Sequence, residues 1–223
     1  MPDSARRPFV SIIGDSISTF EGCNPEGFDV FYEGEACVRT GVERACDTWW
    51  HLAIDAIGGD LLTNGSFSGS MVEGAGFPAA SSERRVAALS RDGVQPDMVI
   101  VFIGINDYGW GGPANQAAGR GRAVPEAAPA CEARTARRAA DDAAEAFSAA
   151  YGVMLDRIRA AYPDAQVWCC TLCPGRLSGA QKPTFIRRLR GVDVRAYDDA
   201  IRLQASDHGC RVIDLASFGL DYE

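Results

Sequence analysis

Short apolar segments alternate along the chain with stretches in which apolar residues recur at helical spacing. Five of the short segments have the length and apolar character of buried strands, namely residues 9–13, 60–63, 98–103, 166–172 and 210–215. The segment 98–103 is apolar throughout, which is typical of a strand buried on both faces of a parallel sheet. Helical spacing predicts helices at about 48–57, 82–90, 135–161 and 193–206.

Turn and cap residues set the limits of these elements. Asp47 is predicted to cap the first helix, which Gly58 and Gly59 end. The stretch 20–47 lacks a clear period and is predicted to be a long ordered loop. The stretch 109–130 is rich in Gly, Ala and Pro, and we expect it to be a flexible insertion at the rim of the sheet.

The order of these elements predicts a single α/β domain over residues 1–223, without an internal repeat. Strands that alternate with helices form parallel sheets covered on both faces. In such sheets ligands bind beyond the carboxyl ends of the strands. Ser16, Gly69 and Asn106 each follow a predicted strand, so we expect them to meet at one edge of the sheet.

Composition argues against several classes of partner. The net charge of −8 disfavours nucleic acid, because phosphate binding needs a basic surface. No segment approaches the roughly 20 consecutive apolar residues of a membrane span. The first ten residues also lack the apolar core of a signal peptide. We therefore expect a cytoplasmic protein without a membrane partner.

Eight cysteines are many for a cytoplasmic chain, yet their spacing forms no metal-binding signature. Cys169, Cys170 and Cys173 come closest, but adjacent residues of a strand point to opposite faces and cannot easily share one ion. Buried free thiols are the favoured interpretation, and no metal or cofactor is expected. Cysteines of the predicted loop could pair under oxidising conditions, although we expect them to be reduced; they are Cys23, Cys37 and Cys46.

Gly14, Asp15 and Ser16 form a tight turn at the end of the first predicted strand. Such a turn exposes a serine hydroxyl, and acyl transfer further needs a general base and donors for the developing oxyanion. If a helical turn begins at Ser16, its N–H points into the same site. Gly69 offers a second N–H, because a residue without Cβ permits close approach, and Asn106 offers a side-chain amide.

Three short motifs resemble those of the GDSL/SGNH hydrolase family. They are G-D-S-I beginning at Gly14, N-G-S-F-S-G beginning at Asn64, and G-I-N-D beginning at Gly104. Ile17 stands where leucine is usual in the family, and the resemblance extends from about residue 9 to residue 215. It implies a three-layer α/β/α sandwich around a mostly parallel, five-stranded, flavodoxin-like sheet.

The same resemblance implies a serine-dependent ester hydrolase that uses no cofactor or metal. Carried over residue by residue, it implies Ser16 as the nucleophile and an oxyanion hole formed by Ser16 N–H, Gly69 N–H and the Asn106 amide. Asp15 and Asp107 would support the two loops. The expected partner is a small-molecule ester, such as a short acyl group on a small or carbohydrate substrate. The segment 108–121 either shapes the substrate entrance or is a surface loop without substrate contact.

The family's fourth motif, Asp-x-x-His after the last strand, is not found. Only residues 216–223 follow the last predicted strand, so we expect the chain to end before that motif and before the family's final helix. Asp221 lies at about the distance from the strand at which such a segment starts.

Only two histidines are present as substitutes for the missing base. His208 is predicted to lie at the edge opposite Ser16, because helices of this architecture run antiparallel to the strands. His51, in the first turns of its helix, is expected nearer to the Ser16 edge, but its neighbours Trp49 and Trp50 favour a packing role.

Three interpretations of the missing base remain open. The sequence is a piece of an active hydrolase, or a short form that keeps the pocket for binding alone, or a protein whose base comes from a partner chain. A phosphate-binding loop beginning at Gly14 is disfavoured, since Asp15 would repel phosphate. The sequence does not predict an oligomeric state, although a sheet face without its closing helix would invite association.

Overall fold

The sheet at the middle of the molecule is built from the predicted apolar segments. A computed structural model describes residues 6–118, 130–172 and 187–218. Its strands in chain order are β1 Phe9–Gly14, β2 Asp60–Asn64, β3 Met98–Phe102, β4 Gln166–Cys170, β5 Arg188–Leu189, β6 Val192–Asp193 and β7 Arg211–Ile213. Five of them lie parallel in the order β2-β1-β3-β4-β7, and β5 and β6 form a separate antiparallel hairpin.

Helices connect these strands. They are α1 Glu35–Thr40, α2 Trp49–Ala56, α3 Glu83–Ala87, α4 Ile105–Trp110, α5 Pro113–Ala117, α6 Ala130–Ala161 and α7 Arg195–Asp207. Short 3₁₀ turns occupy Ser16–Ser18, Ala45–Asp47 and Leu215–Phe218. Every predicted strand and helix is present, with ends that differ by no more than five residues. In the part of the chain that the structure describes, no helix is long and apolar enough to cross a bilayer.

Two apolar cores, one on each face of the sheet, produce the three layers. Val99 and Val101 of β3 pack in one core with α6 and α7. Ile100 and Phe102 of the same strand pack in the other core with α2. Successive side chains of a strand point to opposite faces, so the predicted burial of this strand on both faces is confirmed. The three-layer α/β/α sandwich that the sequence predicts is confirmed with it.

The first predicted helix begins one residue later than Asp47 indicated. Thr48 caps α2, since its hydroxyl accepts a hydrogen bond from His51 N–H at 3.4 Å. Asp47 instead closes the 3₁₀ turn before the helix, where its carboxylate accepts from the N–H and the guanidinium of Arg44, each at 2.9 Å. The prediction was wrong because this turn, which brings Asp47 back onto Arg44, has no signal in the hydrophobic pattern.

Two stretches predicted to be irregular contain short helices. The predicted loop 20–47 includes α1 and a 3₁₀ turn. The predicted insertion 109–130 begins with the end of α4 and with α5, while residues 119–129 lie outside the described part of the chain. Arg190, in the turn between β5 and β6, donates to the carbonyls of Tyr108 and Gly109. A hairpin that the sequence pattern does not predict therefore caps the carboxyl end of α4.

Candidate functional site

Three loops follow the neighbouring strands β1, β2 and β3 and lie together at the carboxyl edge of the sheet. Phe67 N–H, after β2, donates to the carbonyl of Gly14 at the end of β1 at 3.1 Å. The Asn106 side-chain amide, after β3, donates to the carbonyl of Ser70 at 2.9 Å. The structure therefore brings together the loops that carry the three predicted oxyanion donors.

The first loop turns sharply at Ser16. Asp15 caps the 3₁₀ turn, because its carboxylate accepts from Ile17 N–H at 3.2 Å. The hydroxyl of Thr19 closes the turn by donating to the Ser16 carbonyl at 2.8 Å. Asp15 is buried, whereas Ser16 is only half-buried. The backbone of this turn is thus fixed from both ends while the Ser16 side chain keeps access to solvent.

Only glycine fits at position 14, at the end of β1. A Cβ at this position would lie 2.5 Å from Ser18 Oγ and 3.0 Å from the carbonyl oxygen of Phe102. The Ser18 hydroxyl is itself held by the indole N–H of Trp49, which donates to it at 3.1 Å. The glycine of the first motif therefore serves close packing beneath the serine turn.

Two asparagines join the first loop to the second. Asn64 at the end of β2 donates to the carbonyl of Ser18 at 2.6 Å, and its side-chain oxygen accepts from Ser66 N–H at 3.2 Å. Asn24 donates to the carbonyls of Asn64 and Ser66 at 3.0 and 2.9 Å. The sequence motif includes Asn64, but sequence reasoning missed Asn24, which lies in the predicted loop 20–47 without a local signal.

Gly69 is exposed, and its φ of +74° falls in the left-handed region. Nothing lies within 4 Å of a Cβ built on it, so the backbone conformation and not the lack of space favours glycine here. No hydrogen bond of its N–H is formed to another described residue. Its carbonyl accepts from the Gln116 side chain of α5 at 3.0 Å. Sequence reasoning missed Gln116, which only the path of α5 brings to the glycine.

The third loop buries both of its polar motif residues. Asn106 is 4% exposed and commits one amide N–H to the Ser70 carbonyl. A primary amide carries two N–H groups, so a second donor is left for another acceptor. Asp107 is fully buried, and its two carboxylate oxygens each accept from Val72 N–H at 3.0 Å. Asp107 also accepts from Glu73 N–H at 3.1 Å, which ties the third loop to the segment after Gly69.

Burial has the largest effect on the pKa of the Asp107 carboxyl group. Removal from water raises the pKa of Asp107 to about 8, and the hydrogen bonds from Val72 and Glu73 act in the opposite direction. Burial also raises the pKa of Glu73, which adds a repulsive charge beside Asp107. Asp107 reaches the segment that follows Gly69 from α4, so the backbone of that segment depends on a buried carboxyl group of another loop.

Arg85 of α3 is a further residue that sequence reasoning missed. Its guanidinium is completely buried and donates to three backbone carbonyls, those of Gly14, Gly65 and Pro78. Two of these carbonyls belong to the loops that carry Ser16 and Gly69. A helical arginine that follows Glu83 and Arg84 carries no sequence signal for this contact, because the helix spacing alone does not show which loop it faces.

Neither histidine contacts Ser16. His51 lines a cavity of about 250 Å³ together with Arg7, which precedes β1, and Asp60, which begins β2. This cavity lies beside the first residues of β1 and β2, whereas α2 itself begins towards the Ser16 edge, where the Trp49 indole donates to Ser18 Oγ at 3.1 Å. That His51 lies nearer to the Ser16 edge stays a prediction. Its ring nitrogen Nδ1 lies 3.5 Å from a carboxylate oxygen of Asp55, one helical turn further along. The His51 side chain thus faces along α2, towards Asp55.

His208 lies at the carboxyl end of α7, at the edge opposite Ser16, as predicted. Its Nε2 is 3.2 Å from a carboxylate oxygen of Asp156, and its Nδ1 is 2.7 Å from the Gln204 carbonyl. Asp221 lies outside the described residues.

The buried cysteines follow the strand geometry. Cys169 and Cys170 belong to the cores on opposite faces of the sheet, and Cys173 lies outside the described residues. Cys23, Cys37 and Cys46 are free thiols. Within the described ranges, no three side chains of His, Cys, Asp or Glu come together as a metal site would require.

Solved structures resemble this fold over nearly its whole length. A protein from Bacteroides uniformis described as a GDSL-like lipase is 24% identical, with a TM-score of 0.60 over 97% of this chain and 86% of that one. A protein of the same description from Bacteroides ovatus is 21% identical, with a TM-score of 0.60 over 97% and 88%. A protein from Lactobacillus plantarum is 16% identical, with a TM-score of 0.56 over 97% and 81%. At these identities the similarity concerns the fold.

Sequence comparison supplies the family. No curated protein sequence matches the chain. The sequence profile of the GDSL-like lipase/acylhydrolase family matches residues 8–174, which is more than half of the chain and includes all three loops of the candidate site. By this match the chain belongs to the GDSL-like lipase/acylhydrolase family and is a hydrolase by family resemblance.

Proposed function

We propose that the chain hydrolyses a carboxylic ester through Ser16, with Ser16 N–H, Gly69 N–H and the Asn106 amide as the oxyanion hole. The observation that carries this proposal is the union of three loops at one sheet edge by hydrogen bonds between them. The half-buried Ser16 lies on one of these loops, and the other two present an exposed glycine N–H and a buried amide with an uncommitted donor. Esterase chemistry needs these groups.

The reaction divides into two acyl transfers. Ser16 Oγ attacks the ester carbon, its proton passes to a base, and the carbonyl oxygen becomes an oxyanion held by the three donors. The alcohol then leaves with a proton as the carbon–oxygen bond breaks, and water hydrolyses the acyl-serine in the same manner. Loss of one oxyanion donor typically lowers the rate about 10²- to 10³-fold.

The described residues leave the base unassigned, because His51 faces Asp55 and His208 faces Asp156. This observation favours a second candidate, a ligand-binding domain in which the same loops hold a carbonyl or carboxylate without turnover. Supply of the base by a partner chain is a third arrangement. The oxyanion hole alone still accelerates acyl transfer measurably in serine hydrolases that lack a triad member.

The substrate that we propose is a small ester with a short acyl group. Support for a role of the 108–121 segment at the entrance comes from Gln116, whose amide contacts the Gly69 carbonyl at 3.0 Å. Trp110 ends α4 on the same segment. This contact favours an entrance formed by α4 and α5 over a surface loop that stays remote from substrate.

The test compares p-nitrophenyl acetate hydrolysis and fluorophosphonate labelling of the unaltered chain with those of Ser16→Ala. We expect turnover above the Ser16→Ala background and a phosphonyl adduct on Ser16 by mass spectrometry. Asn106→Ala should lower turnover about 10²- to 10³-fold. Ser90→Ala is the matched control, because Ser90 donates to the Ala87 carbonyl in the loop that leads into the opposite edge.

Two results separate the candidates. Equal hydrolysis by the unaltered chain and Ser16→Ala would overturn the nucleophile assignment. Labelling that survives Ser16→Ala would place the reactive group elsewhere. Saturable binding of a short-chain carboxylate, sensitive to Asn106→Ala but without turnover, would support the ligand-binding domain instead.

A further inference from the structure

Arg85 places a cation beneath the candidate site. Its Nε donates to the Gly65 carbonyl at 2.9 Å, one terminal nitrogen to the Pro78 carbonyl at 2.6 Å, and the other to the Gly14 carbonyl at 2.8 Å. The side chain is completely buried. Each of the three nitrogens of the planar guanidinium thus donates to a different backbone carbonyl.

The cost of this burial points to a purpose other than stability. Removal of an ion from water costs several kcal/mol, and an apolar side chain of similar volume at such a site is often as stable or more so. Apolar rings are available for such packing, since the guanidinium carbon lies 5.9 Å from the ring centroids of Phe28 and Phe67. Burial lowers the pKa of Arg85, whereas the nearby charge of Asp15 raises it. A buried ion kept under these conditions fixes geometry that an apolar residue would leave free.

Two of the bonded carbonyls lie a few residues before the proposed oxyanion donors. Gly14 lies two residues before Ser16, and Gly65 lies four residues before Gly69. The Gly14 carbonyl also accepts from Phe67 N–H, so the arginine reinforces a point where the two loops already meet.

We infer that Arg85 is a positioning residue, which sets the spacing between the Ser16 and Gly69 N–H groups. It does so by binding the Gly14 and Gly65 carbonyls with different nitrogens of one rigid, planar guanidinium, called the fork below. This inference rests on the proposed function, since it concerns the same oxyanion hole. Arg85 touches no substrate and takes no proton. It acts through the two backbone segments alone.

Arg84, the preceding residue of α3, provides a matched control. Its guanidinium carbon lies 3.9 Å from the ring centroid of Phe77, and its side chain is exposed. Arg84→Met therefore removes the same charge from the same helix without touching the three carbonyls. Arg85→Met removes the fork, and Arg85→Lys keeps the charge but offers one nitrogen in place of three.

The experiment measures two quantities in the full chain with each substitution. The first is the kcat and KM for p-nitrophenyl acetate per folded molecule, with folding followed by circular dichroism. The second is amide hydrogen exchange of segments 14–19 and 65–70, compared with that of β3. We expect Arg85→Met and Arg85→Lys to lower kcat on the order of 10²-fold with little change in KM, because misplacement by about 1 Å has this effect. Exchange should rise in both segments together and stay unchanged in β3 and in Arg84→Met.

A structural role alone would give a different pattern. In that case Arg85→Lys lowers the melting temperature but leaves kcat per folded molecule and the exchange of both segments unchanged, which overturns the inference. Full activity in Arg85→Lys would also overturn it, because charge and not the fork would then suffice.

Two further outcomes keep this inference distinct from the proposed function. If Arg85→Met does not fold, Arg85→Lys decides alone. If the unaltered chain matches Ser16→Ala in turnover, the proposed function fails, and hydrogen exchange decides whether Arg85 couples the two loops.

Discussion

The loops after β1, β2 and β3 and the loop after β7 lie at the same edge of the sheet but use polar residues differently. On the first side, four of the polar residues that fix the loops are at most 1% exposed; they are Asp15, Asn64, Arg85 and Asp107. On the β7 side Asp214 accepts from Arg202 at 2.7 Å, and these two side chains are 38% and 36% exposed. The β7 residue Val212 is itself 37% exposed.

The difference in burial decides what each polar group does. A buried donor or acceptor that loses its partner costs about 1–3 kcal/mol, because water cannot replace the lost bond. An exposed ion pair is typically worth about 0.2–1 kcal/mol. Hydrogen bonds on the β1–β3 side therefore fix the backbone. The Asp214–Arg202 pair lies at the surface, where water can satisfy the hydrogen bonds of both groups. The candidate site lies on the side where the backbone is fixed.

Asp107→Ala gives the largest expected effect on this comparison. The substitution leaves Val72 N–H and Glu73 N–H without an acceptor. We expect the free energy of unfolding to fall by about 3 kcal/mol, since each buried N–H costs about 1–3 kcal/mol. Urea denaturation measures it, and Asp107→Asn should lose less because its amide oxygen still accepts. A loss as small as that of Asp214→Ala would contradict the contrast between the two sides.

The pH dependence of stability should have opposite signs on the two sides. Burial raises the pKa of Asp107 to about 8, so the folded protein holds this proton more tightly than the unfolded chain, where an aspartate titrates near 3.9. The stabilisation that this tighter proton binding at Asp107 contributes is complete below about pH 4 and is lost as the pH rises towards 8. The Arg202 hydrogen bond lowers the pKa of Asp214, so its contribution is present above about pH 4 and is lost as the pH falls further.

Urea denaturation between pH 5 and pH 8 checks this difference. The unaltered chain should lose more stability over that range than Asp107→Asn does. Above pH 5 the stability of Asp214→Asn should change with pH in the same way as that of the unaltered chain. The shapes of the two profiles should differ only at lower pH. Parallel profiles of all three proteins from pH 5 to pH 8 would show that Asp107 is ionised throughout.

Asp214→Ala is expected to have the smallest effect. Its carboxylate bonds the half-exposed Arg202 and the hydroxyl of Thr171, the latter at 3.1 Å. We expect a loss below about 1 kcal/mol in the free energy of unfolding, because water replaces the exposed pair. Hydrolysis of p-nitrophenyl acetate should be unchanged. A loss of turnover here would mean that the two sides of the edge are coupled.

The hydrophobic pattern predicted the sheet well, because a strand that is buried on both faces appears in the sequence as a continuous apolar run. The β3 segment is apolar at every position, and its side chains divide between the two cores. Capping was predicted less well, since Asp47 and Thr48 are both good cap residues and only the preceding turn selects Thr48. The β5–β6 hairpin left no pattern, because two residues per strand are too few for a period.

The chain by itself determined where Ser16, Gly69 and Asn106 fall, because strand ends and glycine turns are local properties of the sequence. Family motifs and the rule for parallel sheets then predicted that they meet. Only the tertiary structure decided which remote groups hold them there. Asn24, Gln116 and Arg85 reach the loops from 40 to 71 residues away along the chain. Such contacts depend on how helices and loops pack, and a single side chain carries no local signal of the carbonyl that it will meet.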